Sequence, residues 1–138
     1  METPEIRITN SDRQRLGTML DRAYAAAIEP RDQLHRLEME LEHALGVEEG
    51  DVPPYVVTMD STVEIIDLES GDPETYTLVY PEQADITRNQ ISVVAPVGRA
   101  ILGRSVGDVV AVVTPSGEWW IKIAAVRYQP ERAKLQHA

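Results

Sequence analysis

The chain has 138 residues, no cysteine and a formal net charge of −10. That leaves room for one domain, or a small domain with an appendage, and excludes a thiol nucleophile, a Cys-ligated zinc site and an internal disulfide. Residues 1–55 hold six basic and twelve acidic side chains, and residues 56–138 hold seven and eleven, so no basic half is present to grip nucleic acid by its phosphates, and a protein partner is expected instead.

The first residues, Met1-Glu-Thr-Pro-Glu-Ile-Arg7, have neither the basic nor the apolar part of a signal peptide, and no apolar run approaches a membrane span. A cytoplasmic location without membrane contact is expected. Ser11 with Gln14 three residues later reads as a capping box, and Leu16, Met19, Leu20, Ala23 and Ala27 recur at helical spacing. This predicts a helix from Asp12 to Ala27. Pro30 suits the first position of a second helix, Leu34, Leu37, Leu41, Ala44 and Leu45 mark one face of it, and Gly46 is its natural stop. The two helices read as an antiparallel hairpin over residues 1–50, with its tip near Ile28 to Arg31. A projecting short coiled coil is the expectation, weighed against an ordinary helical pair folded over a sheet to bury its leucines.

Gly50-Asp-Val-Pro-Pro54 breaks the helix and reads as a short linker. Residues 51–138 then alternate as strands. Thr62 to Leu68, Thr75 to Tyr80, Ile91 to Val94, Val109 to Val113 and Trp119 to Tyr128 are candidate strands, separated by turns such as Ser70-Gly-Asp-Pro73 and Ser116-Gly117. Pro96 opens one short helix that ends at Leu102 before Gly103. The class is therefore α+β: a helical hairpin followed by a half-wrapped antiparallel sheet with the short helix in its concavity.

The sequence shows no chemistry of its own. It has no phosphate loop of the P-loop type, no Gly-x-Ser-x-Gly elbow and no His-Glu-x-x-His. His35 and His43 lie on a charged helix flank and His137 in the terminal tail. No enzyme activity, cofactor, metal or small-molecule ligand is expected. Glu29 and Asp32 flank the hairpin tip, where two carboxylates could share a Mg²⁺ ion; the start of a helix also favours acidic residues through capping and the macrodipole. Trp119 and Trp120 are adjacent in a strand, so one should face the core and the other be partly exposed.

The run Ile91-Ser-Val-Val-Ala-Pro-Val-Gly-Arg-Ala-Ile-Leu-Gly-Arg-Ser-Val-Gly-Asp108 resembles the C-terminal domain of the bacterial Gre transcript-cleavage factors and of their shorter relatives, the Rnk family, regulators of nucleoside diphosphate kinase. Val57-Thr-Met-Asp-Ser-Thr-Val63, Tyr76-Thr-Leu-Val-Tyr-Pro81 and Val126-Arg-Tyr-Gln-Pro130 extend the resemblance from Tyr55 to Pro130. Ala95-Pro96-Val97-Gly98, in place of Ser-Pro-Leu-Gly, is the form associated with Rnk; Trp119 and Trp120 depart from that pattern.

The resemblance implies a fold similar to the FK506-binding proteins and a surface for RNA polymerase at the rim of its secondary channel, formed by Ala95, Pro96, Val97 and Gly98. Arg99 and Arg104, scarce cations on an acidic chain, are added as partner contacts. It further implies a regulator that competes with Gre cleavage factors and acts indirectly on nucleoside diphosphate kinase. Three alternatives stand beside it: a true cleavage factor using Glu29 and Asp32, a prolyl isomerase suggested by fold alone, and an adaptor that never meets polymerase.

Overall fold

The computed structural model describes residues 6–27 and 30–136. Strand β1 (Arg7–Thr9) runs directly into helix α1 (Asn10–Ala26). The cap is Thr9 and not Ser11: the Thr9 side-chain oxygen accepts the Asp12 N–H at 3.0 Å from extended backbone. Ser11 is exposed inside the first turn, where its backbone is already helical and cannot take the extended shape that a cap needs.

Helix α2 (Arg31–Glu42) starts one residue after Pro30 and stops before the expected Gly46. Leu45–Val47 forms strand β2, paired in parallel with β1 through Arg7↔Leu45 and Thr9↔Val47. An apolar period read along one helix cannot reveal that a distant strand claims its last turn. The hairpin is antiparallel: Arg13, near the start of α1, donates to the Ala44 carbonyl beyond the end of α2. At the other end the Arg31 guanidinium lies 5.3 Å from the centre of the Tyr24 ring.

The helices do not project as a separate coiled coil. Leu16, Leu20, Leu34 and Leu37 are buried in one core with Met59, Leu78, Ile101 and Ile123 of the sheet region. Each fully buried leucine contributes about 2 kcal/mol, and helices this short are marginal without such packing.

The main sheet comprises β3 (Thr62–Asp67), β4 (Pro73–Val79), β5 (Gln90–Ser92), β6 (Val109–Thr114) and β7 (Gly117–Tyr128). Its order is β5-β4-β3-β7-β6. It is mixed and not wholly antiparallel, because β4 and β5 pair in parallel. Two 3-10 turns between them, Pro81–Gln83 and Ile86–Arg88, bring the chain back to run in the same direction. Register shifts where β3 meets β7 add local twist. Helix α3 (Pro96–Ile101) touches both β5 and β6, the opposite edges of the sheet, so the sheet curls around it.

A C-terminal helix joins β1 and β2 among the elements that the sequence periodicity does not predict. Helix α4 (Pro130–Gln136) follows β7 after the single residue Gln129. Its Glu131 is buried and accepts the Thr58 hydroxyl at 2.7 Å. The Gln129 amide donates to the Pro53 and Val56 carbonyls, both at 2.8 Å. Residues 50–54 are thereby tied down, starting in a 3-10 turn (Glu49–Asp51), where composition suggested a linker. Among the described residues no helix is long and apolar enough to cross a membrane.

Candidate docking surface at helix α3

The segment from Ser92 to Gly103 is built by backbone constraints. The Ser92 side chain accepts the Val94 N–H at 3.1 Å and its carbonyl accepts the Ala95 N–H at 3.1 Å. Pro96 then occupies the first helical turn, where a missing N–H costs nothing. Gly98 is obligatory because a Cβ there would stand 2.0 Å from the Ser92 carbonyl oxygen. Gly103 ends the helix at φ +76°, and a Cβ there would meet the Ile6 side chain at 2.2 Å. Strand β1 is bonded to the same turn through Arg7 N–H to Gly103 O at 3.1 Å. The base of the hairpin and the end of α3 are thus joined.

Of the expected contact residues, Ala95, Pro96 and Val97 are partly exposed together at the start of α3, and Gly98 is buried beneath them. Arg99 is a correction. Only 6% of it is exposed, and its guanidinium turns inward to the Val94 carbonyl at 3.2 Å and toward the Gln33 carbonyl of α2. A scarce cation on an acidic chain suggests a surface contact, but the end of a long side chain can instead donate to carbonyls inside the fold. Arg104 is partly exposed.

The arginines have an acidic neighbour that the sequence reading passed over. Glu40 of α2 carries an oxygen buried with no hydrogen-bond partner. Burial pushes its carboxyl up to about 7, against the opposing pull of Arg104, Arg99 and Arg36. The available signal was its position, since Leu37, Glu40 and Leu41 share the inward stripe of the helix. Asp12 follows the same rule: it precedes Leu16 by one turn and is buried like it.

Asp32 at the hairpin tip is exposed in the first turn of α2, and Glu29 lies outside the described residues, as does His137. Among the described residues no three potential metal ligands cluster. Trp119 is partly buried against the core, whereas Trp120 is 49% exposed, the alternation expected of adjacent strand positions.

A helical hairpin packs on a curled mixed sheet, and the short helix opened by Pro96 and ended by Gly103 leaves a partly exposed apolar surface at its start. A family model described as "Transcription elongation factor, GreA/GreB, C-term" matches residues 52–128. The "Regulator of nucleoside diphosphate kinase" of Escherichia coli (strain K12) is 35% identical over 134 residues, 96% of each chain. The "Transcription elongation factor GreA" of Geobacillus kaustophilus is 41% identical over 102 residues, 74% of this chain. Those residues span 63% of that protein, less than two thirds of its length. A solved structure described as "Prokaryotic transcription elongation factor GreA/GreB from Nitrosomonas europaea" superposes with a TM-score of 0.71 at 38% identity, covering 90% of this chain and all of that one. The chain belongs to the GreA/GreB family of transcription factors, in which it matches the regulator of nucleoside diphosphate kinase over nearly its whole length.

Proposed function

We propose that this protein binds RNA polymerase through Ala95, Pro96 and Val97, with Arg104 beside them, and docks at the rim of the secondary channel. There it competes with Gre cleavage factors by occupying a shared site, a mass-action effect, and its influence on nucleoside diphosphate kinase is indirect. The observation that carries the reading is the partly exposed surface at the start of α3, which lies inside the family-matched segment and is held rigid by Gly98 and Ser92. The 17-residue α1 rises only about 26 Å and rests on the sheet region, so a bound molecule occupies the rim without a long arm to reach the active centre.

The test is a pull-down of core RNA polymerase with the purified protein, a Gre factor titrated in as competitor, and Val97→Asp as the surface variant. Binding that the competitor displaces and Val97→Asp weakens is the expected result. Absence of binding at micromolar concentration would overturn the polymerase reading. Arg99→Glu is unsuitable for this purpose, because it buries an unpaired charge and perturbs the fold itself.

A further inference from the structure

We propose that the groove between α1 and the end of β4 is a separate docking site for an acidic amphipathic helix of a partner protein. It does not depend on the polymerase reading. The groove encloses about 730 Å³, with Met19, Ala23 and Ala26 on the α1 wall and Tyr80 and Pro81 on the other. Arg15 and Arg22 line the same groove from α1. They lie seven residues apart, two turns of one helix face, or about 10 Å along the axis.

Charge identifies the occupant. The chain has 23 acidic and 13 basic residues, yet the two exposed cations here make no ion pair within 4.0 Å among the described residues. The Arg15 guanidinium instead stacks over the Tyr80 ring, 4.6 Å from its centre, which holds the charge at the rim. An apolar floor flanked by two cations at heptad spacing matches a helix that presents apolar residues at i, i+3 and i+4 and carboxylates seven residues apart. Glu82 lines the opposite wall and confines the occupant's acidic side chains to the α1 side. The same glutamate and the overall charge of −10 disfavour a nucleic-acid strand, whose phosphates run along its whole length.

The experiment uses the full chain and a synthetic, fluorescein-labelled helical peptide with leucines at i, i+3 and i+4 and glutamates at two flanking positions seven residues apart, read by fluorescence anisotropy. Salt-sensitive binding is expected, weakened about tenfold or more by Arg22→Glu or Ala26→Glu. Arg132→Glu, far from the groove in sequence and outside its lining, leaves it unchanged. A lysine version of the peptide should recover binding to an Arg15→Glu, Arg22→Glu double variant. Thermal melts show that each variant is folded, and the exposed positions chosen make this the expected result. No binding at the highest soluble peptide concentration, or binding indifferent to Arg22→Glu, overturns the proposal. So does tighter binding of a single-stranded RNA oligonucleotide at the same residues. Sedimentation velocity supplies the last arm: a dimer abolished by Arg22→Glu assigns the groove to a second copy of this chain and overturns the acidic partner.

Discussion

The Asp12 carboxylate accepts the Met59 backbone N–H at 3.1 Å, across 47 residues of sequence. The bond fastens the first turn of α1 to the loop before β3, so the hairpin is held at its base by more than apolar contact. Asp12 is only 6% exposed, and burial pushes its carboxyl up to about 6, with the Met59 bond acting in the opposite direction. The folded-state value lies above the ordinary aspartate value of 3.8. The native state therefore binds more protons than the unfolded chain between these limits, and this group's contribution falls as pH rises from about 4 to about 6. The full difference is on the order of 3 kcal/mol. Asp12→Asn retains an acceptor for Met59 and removes the titration. Its stability relative to the wild type, from urea melts, should rise by that order between pH 4 and pH 7; an unchanged difference would contradict the buried, charged Asp12.

Glu40 provides a second pH test at the other contact of the hairpin. Its carboxyl is raised from 4.5 to about 7, burial outweighing the arginines. Its stability contribution is thus lost as pH rises through that window, not gained. Glu40→Gln should gain in Tm relative to the wild type between pH 5 and pH 8. A fall in relative Tm at pH 8 would instead mean that its attraction to Arg99 and Arg104 outweighs desolvation.

The location of the helix cap can be tested by comparing two neighbouring hydroxyls. Thr9 is fully buried and accepts the Asp12 N–H, whereas Ser11 is exposed. Thr9→Ala should cost about 1 kcal/mol or more in chemical denaturation, and Ser11→Ala less than about 0.5 kcal/mol. Equal costs would restore Ser11 as a cap.

Gly98 is fixed by contact and not by an unusual backbone angle. Because a Cβ would meet the Ser92 carbonyl at 2.0 Å, Gly98→Ala must move either α3 or the end of β5. A loss of about 3 kcal/mol is expected, with altered amide shifts from Ser92 to Arg99 in NMR spectra. Gly17, with nothing within 4 Å of its Cβ position, serves as the control: Gly17→Ala in mid-helix should stabilise by about 0.5–1 kcal/mol.

Much of the site was legible because its constraints are local. Pro96 and Gly103 bracket α3 in sequence as they do in space, and the β-branched runs of β3, β6 and β7 occur where alternation places them. Residues whose role depends on a distant partner were not legible. Arg99 looked like surface because nothing adjacent in sequence reveals the Val94 and Gln33 carbonyls around it. Gly46 looked like a helix stop because β1, its pairing partner, lies on the far side of the hairpin. Helix α4 went unread because its seven residues are short, and what fixes its start is the burial of Glu131 against Thr58.

By itself the sequence determined the acidic character and the short helix opened by Pro96 and closed before Gly103, since these follow from charge and backbone sterics acting over a few residues. It also carried the family resemblance, through the run from Ile91 to Asp108. Tertiary structure alone decided that the hairpin lies on the sheet, that β1 and β2 pair, that Arg99 is internal, and that Arg15 and Arg22 flank an open groove with Tyr80 opposite. Those outcomes depend on which surfaces exclude water together, and burial is a property of elements that meet in space, not of their order along the chain.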